Sequence, residues 1–283
     1  MILVTGATGT VGRLVTERLS GTGPVRLLTR DPRRAAPTGP GVEVVGGDFD
    51  DPGSLRAALA GVRSALLVTT DPLAPAQDRS FLTAARAAGV GHVVKLSAQA
   101  VTDPGAVDLV TRWQRANEEL LRASGLAWTL LRPRAFMSNT LGWARSVRAE
   151  GVVRAPDGTS RNASVDPRDI ADVAVRVLTD PVAHAGRAYP LTGPAALSAV
   201  QQAEILGELL ERPLTFVELT REQALSGLLG RYPEPLAHAL MESADRGRQG
   251  AKADVDPTVA ELLGRPAGPY RDWARDHLSA FRT

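Results

Sequence analysis

The chain contains no cysteine in 283 residues. That removes disulfide frameworks, thiolate nucleophiles and cysteine-ligated zinc, and it suits a reducing cytoplasm. Lysine occurs only at Lys95 and Lys252, so arginine carries nearly all the positive charge. Net charge is +2. The arginines are interspersed with acids, as on a solvated surface, and no basic block tracks nucleic acid. No apolar run reaches the roughly 18 residues that suggest a membrane span. The start MILVTGATG lacks a basic leader and soon breaks into glycines, so it reads as a buried strand and not a signal peptide. There is no G-x-S-x-G elbow, which sets hydrolase chemistry aside. The histidines, His92, His184, His238 and His277, are too scattered for a metal site.

What is present is an ordinary globular composition, 43% apolar and 23% charged. The first half alternates short apolar runs with helical patterns. Expected strands are Met1–Thr5, Val25–Thr29, Val42–Val45, Ala65–Thr69, His92–Ser97 and Ala127–Leu131. Their apolar residues are consecutive, as in strands covered by helices on both faces. Helices are expected near Gly12–Ser20, Ser54–Ala60 with Ser54 as N-cap, Pro75–Ala88, and Ala106–Ser124 stopped by Gly125. This alternation predicts an α/β fold, a Rossmann-type doubly wound parallel sheet. After Pro133 the pattern loosens. It suggests helices at Asn139–Ala149, Pro167–Leu178, Ser198–Leu210, Arg221–Leu229 and Pro235–Glu242, and strands at Val152–Arg154, Arg187–Leu191 and Leu214–Glu218. The polar stretch Ser243–Ala253 reads as an exposed loop. We expect a binding domain over 1–135 and a small α/β C-terminal lobe over 136–283, interleaved with it, at the carboxyl ends of the strands where such folds bind ligands.

The first dozen residues carry the strongest chemical signal. Gly6, Gly9 and Gly12 stand between a strand and a helix start. Gly6 permits the tight turn, Gly9 lets backbone approach a pyrophosphate, and Gly12 lets helix pack on strand. Thr8, Thr10 and Val11 complete a helix N-terminus whose free N–H groups and dipole favour phosphate. The second strand ends in Leu28-Thr29-Arg30-Asp31-Pro32-Arg33-Arg34. Arginine at that end accommodates a 2′-phosphate, so NADP(H) is preferred and NAD(H) is the alternative if Asp31 turns inward. After the third strand, Asp48 and Phe49 could bracket adenine or simply form a turn. Thr69 and Thr70 end the fourth strand beside the expected cofactor ribose. Ser97 ends the fifth, facing the nicotinamide edge, and Pro133 follows the sixth. Lys95 lies two residues before Ser97 and reads as a structural ion pair.

The segments GATGTVG, LLTRDP, GDFDDPGSL, SGLAWTLLRPRAFMSN and DPRDIADVA together resemble the NmrA-like branch of the atypical short-chain dehydrogenase/reductases. The resemblance covers nearly the whole chain. It implies a Rossmann domain with a small lobe, NADP(H) binding, and kinship with quinone reductases and with redox-sensing regulators. Standard members of the superfamily carry a Tyr-x-x-x-Lys pair on the helix before the sixth strand. Here one register puts Val110 and Gln114 at those positions, and a shift by one puts Thr111 and Arg115 there. Neither supplies tyrosine. Gln114 can hydrogen-bond a ribose or carbonyl but cannot transfer a proton at neutral pH.

Gln114 and Ser97 are therefore the candidate catalytic residues, acting by orientation. Trp113, Phe136, Met137, Asn139 and Trp143 are candidates to line a flat apolar substrate pocket, or else to form the lobe's core. A ketone needs a proton donor at the developing alkoxide, whereas a quinone forms a stable phenolate that water can protonate. We expect an NADP(H)-dependent reductase of a quinone-like or aromatic carbonyl compound, cytoplasmic, with no nucleic-acid or membrane partner. Two alternatives stay open: a redox sensor that binds NADP(H) without turnover, and an oxygen-dependent oxidation of a polyphenol.

Overall fold

The computed structural model describes residues 1–35 and 39–282, the Arg34 side chain excepted. Its first elements are β1 (Ile2–Val4), α1 (Thr10–Leu19), β2 (Val25–Thr29), β3 (Val42–Gly46), α2 (Pro52–Leu59), β4 (Ser64–Leu67), α3 (Gln77–Ala87), β5 (His92–Leu96), α4 (Leu109–Ala123) and β6 (Ala127–Pro133). There follow α5 (Ala144–Glu150), β7 (Val152–Ala155), α6 (Pro167–Thr179), α7 (Pro181–His184), β8 (Arg187–Leu191), α8 (Ala199–Leu209) and β9 (Thr215–Glu218). The last helices are α9 (Arg221–Leu229), α10 (Glu234–Arg248), α11 (Thr258–Leu263) and α12 (Tyr270–Asp276).

Seven strands form one sheet in the order β3-β2-β1-β4-β5-β6-β8. Pairing is parallel from β3 through β6. Strand order reverses between β1 and β4, and that switch point opens a crevice at the carboxyl ends of the strands. One sheet face is covered by a core including Leu3, Leu55, Leu59, Leu67, Phe81, Val93, Leu121 and Leu130. On the other, α6 packs against α1 and against β4, β5 and β6. Arg18 on α1 is hydrogen-bonded to Asp172 on α6. This packing explains why Pro167–Pro190 groups with the first compact unit, Met1–Val101 and Arg112–Pro133, despite its late position in the chain.

The second unit gathers Thr102–Thr111, Arg134–Asp166 and the residues from Leu191 onward. Its small parallel sheet pairs β7 with β9. One core cluster holds Val147, Val153, Ala203, Leu206 and Phe281, and another holds Met137, Tyr270, Trp273 and Ala274.

Several expected boundaries move. The N-cap of α2 is Asp51, whose carboxylate accepts from the Gly53 N–H at 2.9 Å with Pro52 in the first turn. Ser54 instead donates to the Asp51 carbonyl at 2.8 Å. The helix expected from Asn139 begins as a 3-10 turn, Met137–Trp143, and becomes α-helical at Ala144. The Thr140 hydroxyl helps tighten that turn by donating to the Met137 carbonyl. The stretch expected as a loop from Ser243 is helical as far as Arg248. Arg246 pairs with Asp103 at 2.6 Å and Arg248 with Asp157 at 3.0 Å, and these tertiary ion pairs offset the weak helix preference of its glycine. Among the described residues no helix is long and apolar enough to cross a membrane.

Candidate functional site

The glycine turn is built as a cradle. Gly6 has φ +61°, and a Cβ there would lie 3.0 Å from the Val68 side chain. A Cβ on Gly12 would lie 2.2 Å from the Gly6 carbonyl oxygen, so α1 starts in direct contact with the backbone leaving β1. The Gly9 N–H donates to the Gly6 carbonyl at 2.9 Å and closes the turn. Gly9 is also the N-cap of α1 and brings no side-chain cap, so the first helical N–H groups are open to an anion. Thr8, Gly9 and Thr10 are exposed around this opening, while Val11 anchors the helix in the core. A dinucleotide pyrophosphate fits this arrangement.

At the tip of β2, Asp31 is already engaged. Its carboxylate accepts from the Arg33 backbone N–H at 3.1 Å and from Arg33 Nε at 2.9 Å. That bond in turn raises the Arg33 guanidinium above its ordinary pKa. Arg30 is exposed and makes no ion pair among the described residues. It is a cation free to meet a 2′-phosphate. Asp48 uses its carboxylate to accept from the Asp50 N–H at 3.1 Å, a local turn bond. Phe49 is half-buried and packs edge-on against Phe81, with ring centroids 6.1 Å apart.

Deeper in the first unit lies a buried polar chain. The Thr69 hydroxyl donates to Asp78 Oδ1 at 2.6 Å. Lys95 Nζ lies 2.9 Å from Asp78 Oδ2, donates to Thr69 at 3.1 Å, and stands 5.6 Å from the centre of the Trp113 ring. Lys95 is thus a structural ion pair, and Trp113 is buried against it. Thr70 is exposed and Pro133 is buried at the end of β6.

Ser97 continues the β5–β6 ladder through its N–H, which donates to the Leu131 carbonyl at 2.8 Å. Its hydroxyl donates to Glu118 Oε1 at 2.6 Å. Glu118, on α4, also receives two bonds from Arg132, at 2.9 and 2.6 Å, and one from Arg122 at 2.9 Å. Burial alone would raise its pKa. The bonds from Arg132 and Ser97, with the charges of Arg132 and Arg122, overcome that and hold the carboxyl below its ordinary value. Because the single Ser97 proton is committed to this carboxylate, the Ser97 oxygen offers other groups only lone pairs.

On the same helix Gln114 is buried with Oε1 unpartnered, and Asn117 is buried with Nδ2 unpartnered. They stand three residues apart, on one face of α4. One offers an acceptor and the other a donor. The alternative register fares worse as a proton source. The Thr111 hydroxyl is spent on Asp108 at 2.6 Å, and Arg115 Nε donates to the Val101 carbonyl at 3.0 Å.

The remaining substrate candidates belong to the second unit and do not stay together. Met137 helps line a cavity of about 190 Å³ with Leu197, Ile205 and Tyr270. Phe136 bridges to Val165, Asn139 is exposed, and Trp143 packs on the Val147 cluster instead of beside Met137. Sequence reasoning missed Glu118, Arg132, Asn117 and Asp78 as partners. The available signal was spacing, since Glu118 falls one helical turn after Gln114.

Among the described residues no group of three His, Asp or Glu could hold a metal. The model of a family described as NAD(P)H-binding matches residues 6–181. The chain is 53% identical to a (4-alkanoyl-5-oxo-2,5-dihydrofuran-3-yl)methyl phosphate reductase of Streptomyces griseus, over 99% of both chains. It is 38% identical to an NAD(P)H azoreductase of Xenophilus azovorans, again over 99% of both. The crystal structure of the NADPH-dependent quinone oxidoreductase QOR2 of Escherichia coli, complexed with NADPH, superposes with a TM-score of 0.86 at 30% identity, covering 99% of this chain and 100% of that one.

Proposed function

This chain belongs to the NAD(P)H-binding family, on the NmrA-like branch of the atypical short-chain dehydrogenases/reductases, and we propose that it reduces the ring double bond of a phosphorylated butenolide. It is an NAD(P)H-dependent oxidoreductase, and its cofactor is NADP(H). The finer reading rests on one observation: α4 presents no proton donor where ketone-reducing relatives of the superfamily carry tyrosine and lysine. Gln114 and Val110 stand there, and the neighbouring Thr111 hydroxyl is bound to Asp108.

A substrate must then accept a hydride without protein-supplied acid. Bound NADPH supplies the hydride. In a butenolide of the kind named for the Streptomyces griseus relative, the ring double bond ends on a carbon between two carbonyls. Addition at the far carbon leaves an enolate spread over both carbonyl oxygens, and water suffices to protonate it. Quinones and azo compounds, the substrate classes in the names of other relatives, share this independence from a strong acid. The chain's own residues orient. Gly6, Gly9, Gly12 and the open α1 N-terminus take the pyrophosphate, and Arg30 takes the 2′-phosphate. The buried Gln114 and Asn117 offer an acceptor and a donor, and Ser97 offers an acceptor.

The test follows NADPH absorbance with a synthetic alkanoyl butenolide phosphate, with quinones, and with a simple unconjugated ketone. Saturable turnover of the butenolide, slower turnover of quinones and none of the ketone is the expected result. Ketone reduction at comparable kcat/KM, or quinone turnover with an inert butenolide, overturns the proposal.

A further inference from the structure

We propose that Arg134 and Lys252 form a phosphate-monoester subsite that receives the phosphate of the substrate, an inference that rests on the phosphorylated substrate proposed above. Both residues belong to the second unit. Arg134 directly follows Pro133, the last residue of β6. Its Nη1 donates to the carbonyl of Ala251, the residue joined to Lys252, at 3.1 Å. Its Nε is buried with no partner. Lys252 is half-buried and donates from Nζ to Ser243 Oγ at 2.9 Å.

No carboxylate neutralises either cation within ion-pair distance, because the acids around them are otherwise engaged. Asp103 is held by Arg246 at 2.6 Å, Asp157 by Arg248 at 3.0 Å, and Asp108 accepts from the Thr111 hydroxyl. Burial pushes the Lys252 amine down from its ordinary pKa and the neighbouring Arg134 charge adds to this, while Asp108 and Asp157 act weakly the other way. Arg134 is likewise lowered by burial, against the pull of Asp254 and Asp103.

Two adjacent, partly desolvated cations without an acid partner cost free energy, and an anion between them removes that cost. An orphaned Nε on a planar guanidinium and an ammonium with spare N–H groups match the oxygens of a phosphate monoester dianion. A neutral aromatic ligand would leave both charges unmet.

The first test needs no variant. It compares wild-type kcat/KM for the butenolide phosphate and for its dephosphorylated alcohol at saturating NADPH. The ester is expected to be favoured by about tenfold to a hundredfold, through KM, as charge-assisted hydrogen bonds require. That preference is expected to collapse toward parity in Arg134→Gln and in Lys252→Gln and to survive in part in Arg134→Lys. Equal use of ester and alcohol by the wild type overturns the subsite and leaves butenolide reduction standing. Loss of NADPH affinity in step with ester preference assigns the pair to the cofactor and also overturns it. If neither butenolide is reduced, the substrate reading fails and the subsite is judged separately, by an alkyl phosphate added to quinone reduction. Inhibition in the wild type that is lost in Arg134→Gln sustains the subsite, and no inhibition removes it.

Discussion

Asp31 stands where an acid would select NAD, yet its carboxylate is bound to Arg33 and caps the turn that follows. Its neighbour Arg30 has no such engagement among the described residues. Replacing Arg30 by alanine should therefore raise the KM for NADPH about tenfold or more and leave that for NADH nearly unchanged, as fits the loss of one charge-assisted contact. Equal losses for both cofactors would count against this assignment. Gln114 poses a different question at the same scale. A buried acceptor without a donor costs roughly 1–3 kcal/mol, so Gln114→Met should hold or raise the melting temperature. If the unpartnered Oε1 awaits substrate or cofactor, kcat/KM should fall about tenfold in the same variant. A variant both stable and fully active would show that Gln114 is only a packing residue.

Helix α4 is fixed to β5 and β6 through one carboxylate. Glu118 accepts from Ser97 just past β5, from Arg132 on β6 and from Arg122 on its own helix. Removing its charge leaves Arg132 without its buried partner, so Glu118→Gln should cost on the order of 3–5 kcal/mol, measured by urea denaturation. The sign with pH follows from its depressed pKa. The carboxyl stabilises the fold above its unfolded value near 4.5 and loses that contribution as pH falls through the lower folded value. The variant should flatten this acid limb. The strands of the first unit, its glycine turn and the absence of a tyrosine on α4 were legible in the sequence, because apolar runs and glycine spacing are local signals. Glu118 was not, since it adjoins Glu119 on a charged helix and only the fold decides which of the two turns inward. The C-terminal part of α10 was misread for a related reason. Its helicity is secured by Asp103 and Asp157, far away in the chain. The short helices α11 and α12 carry little periodicity of their own, and Tyr270 and Trp273 hold α12 through tertiary packing.

At the scale of the molecule, the first unit closes its late segment onto the sheet through His92, Thr129 and His184. The Thr129 hydroxyl donates to the His184 carbonyl at 2.7 Å, so it accepts from His92 Nε2 at 2.9 Å. Burial, with a smaller push from His184, lowers His92 to about 4. Between about 6.5 and that value the unfolded chain binds a proton that the folded chain refuses. Stability is therefore full above pH ~6.5 and falls by roughly 2–4 kcal/mol on acidification toward pH 4. Thermal melts across this range should show the decline, and His92→Gln should reduce its slope while lowering the baseline. A flat wild-type profile would contradict the buried neutral imidazole. The two lysines bring a practical consequence, since they divide between the two units and differ in access. Lys95 is sealed with Asp78 in the first, and Lys252 is only half-buried in the second. Acylation by an amine-directed reagent, followed by peptide mass spectrometry, should mark Lys252 in the native protein and Lys95 only on global opening. The chain thus carries two intrinsic chemical clocks: one runs at the rate at which an anion leaves Lys252 uncovered, the other at the rate at which the sheet comes apart.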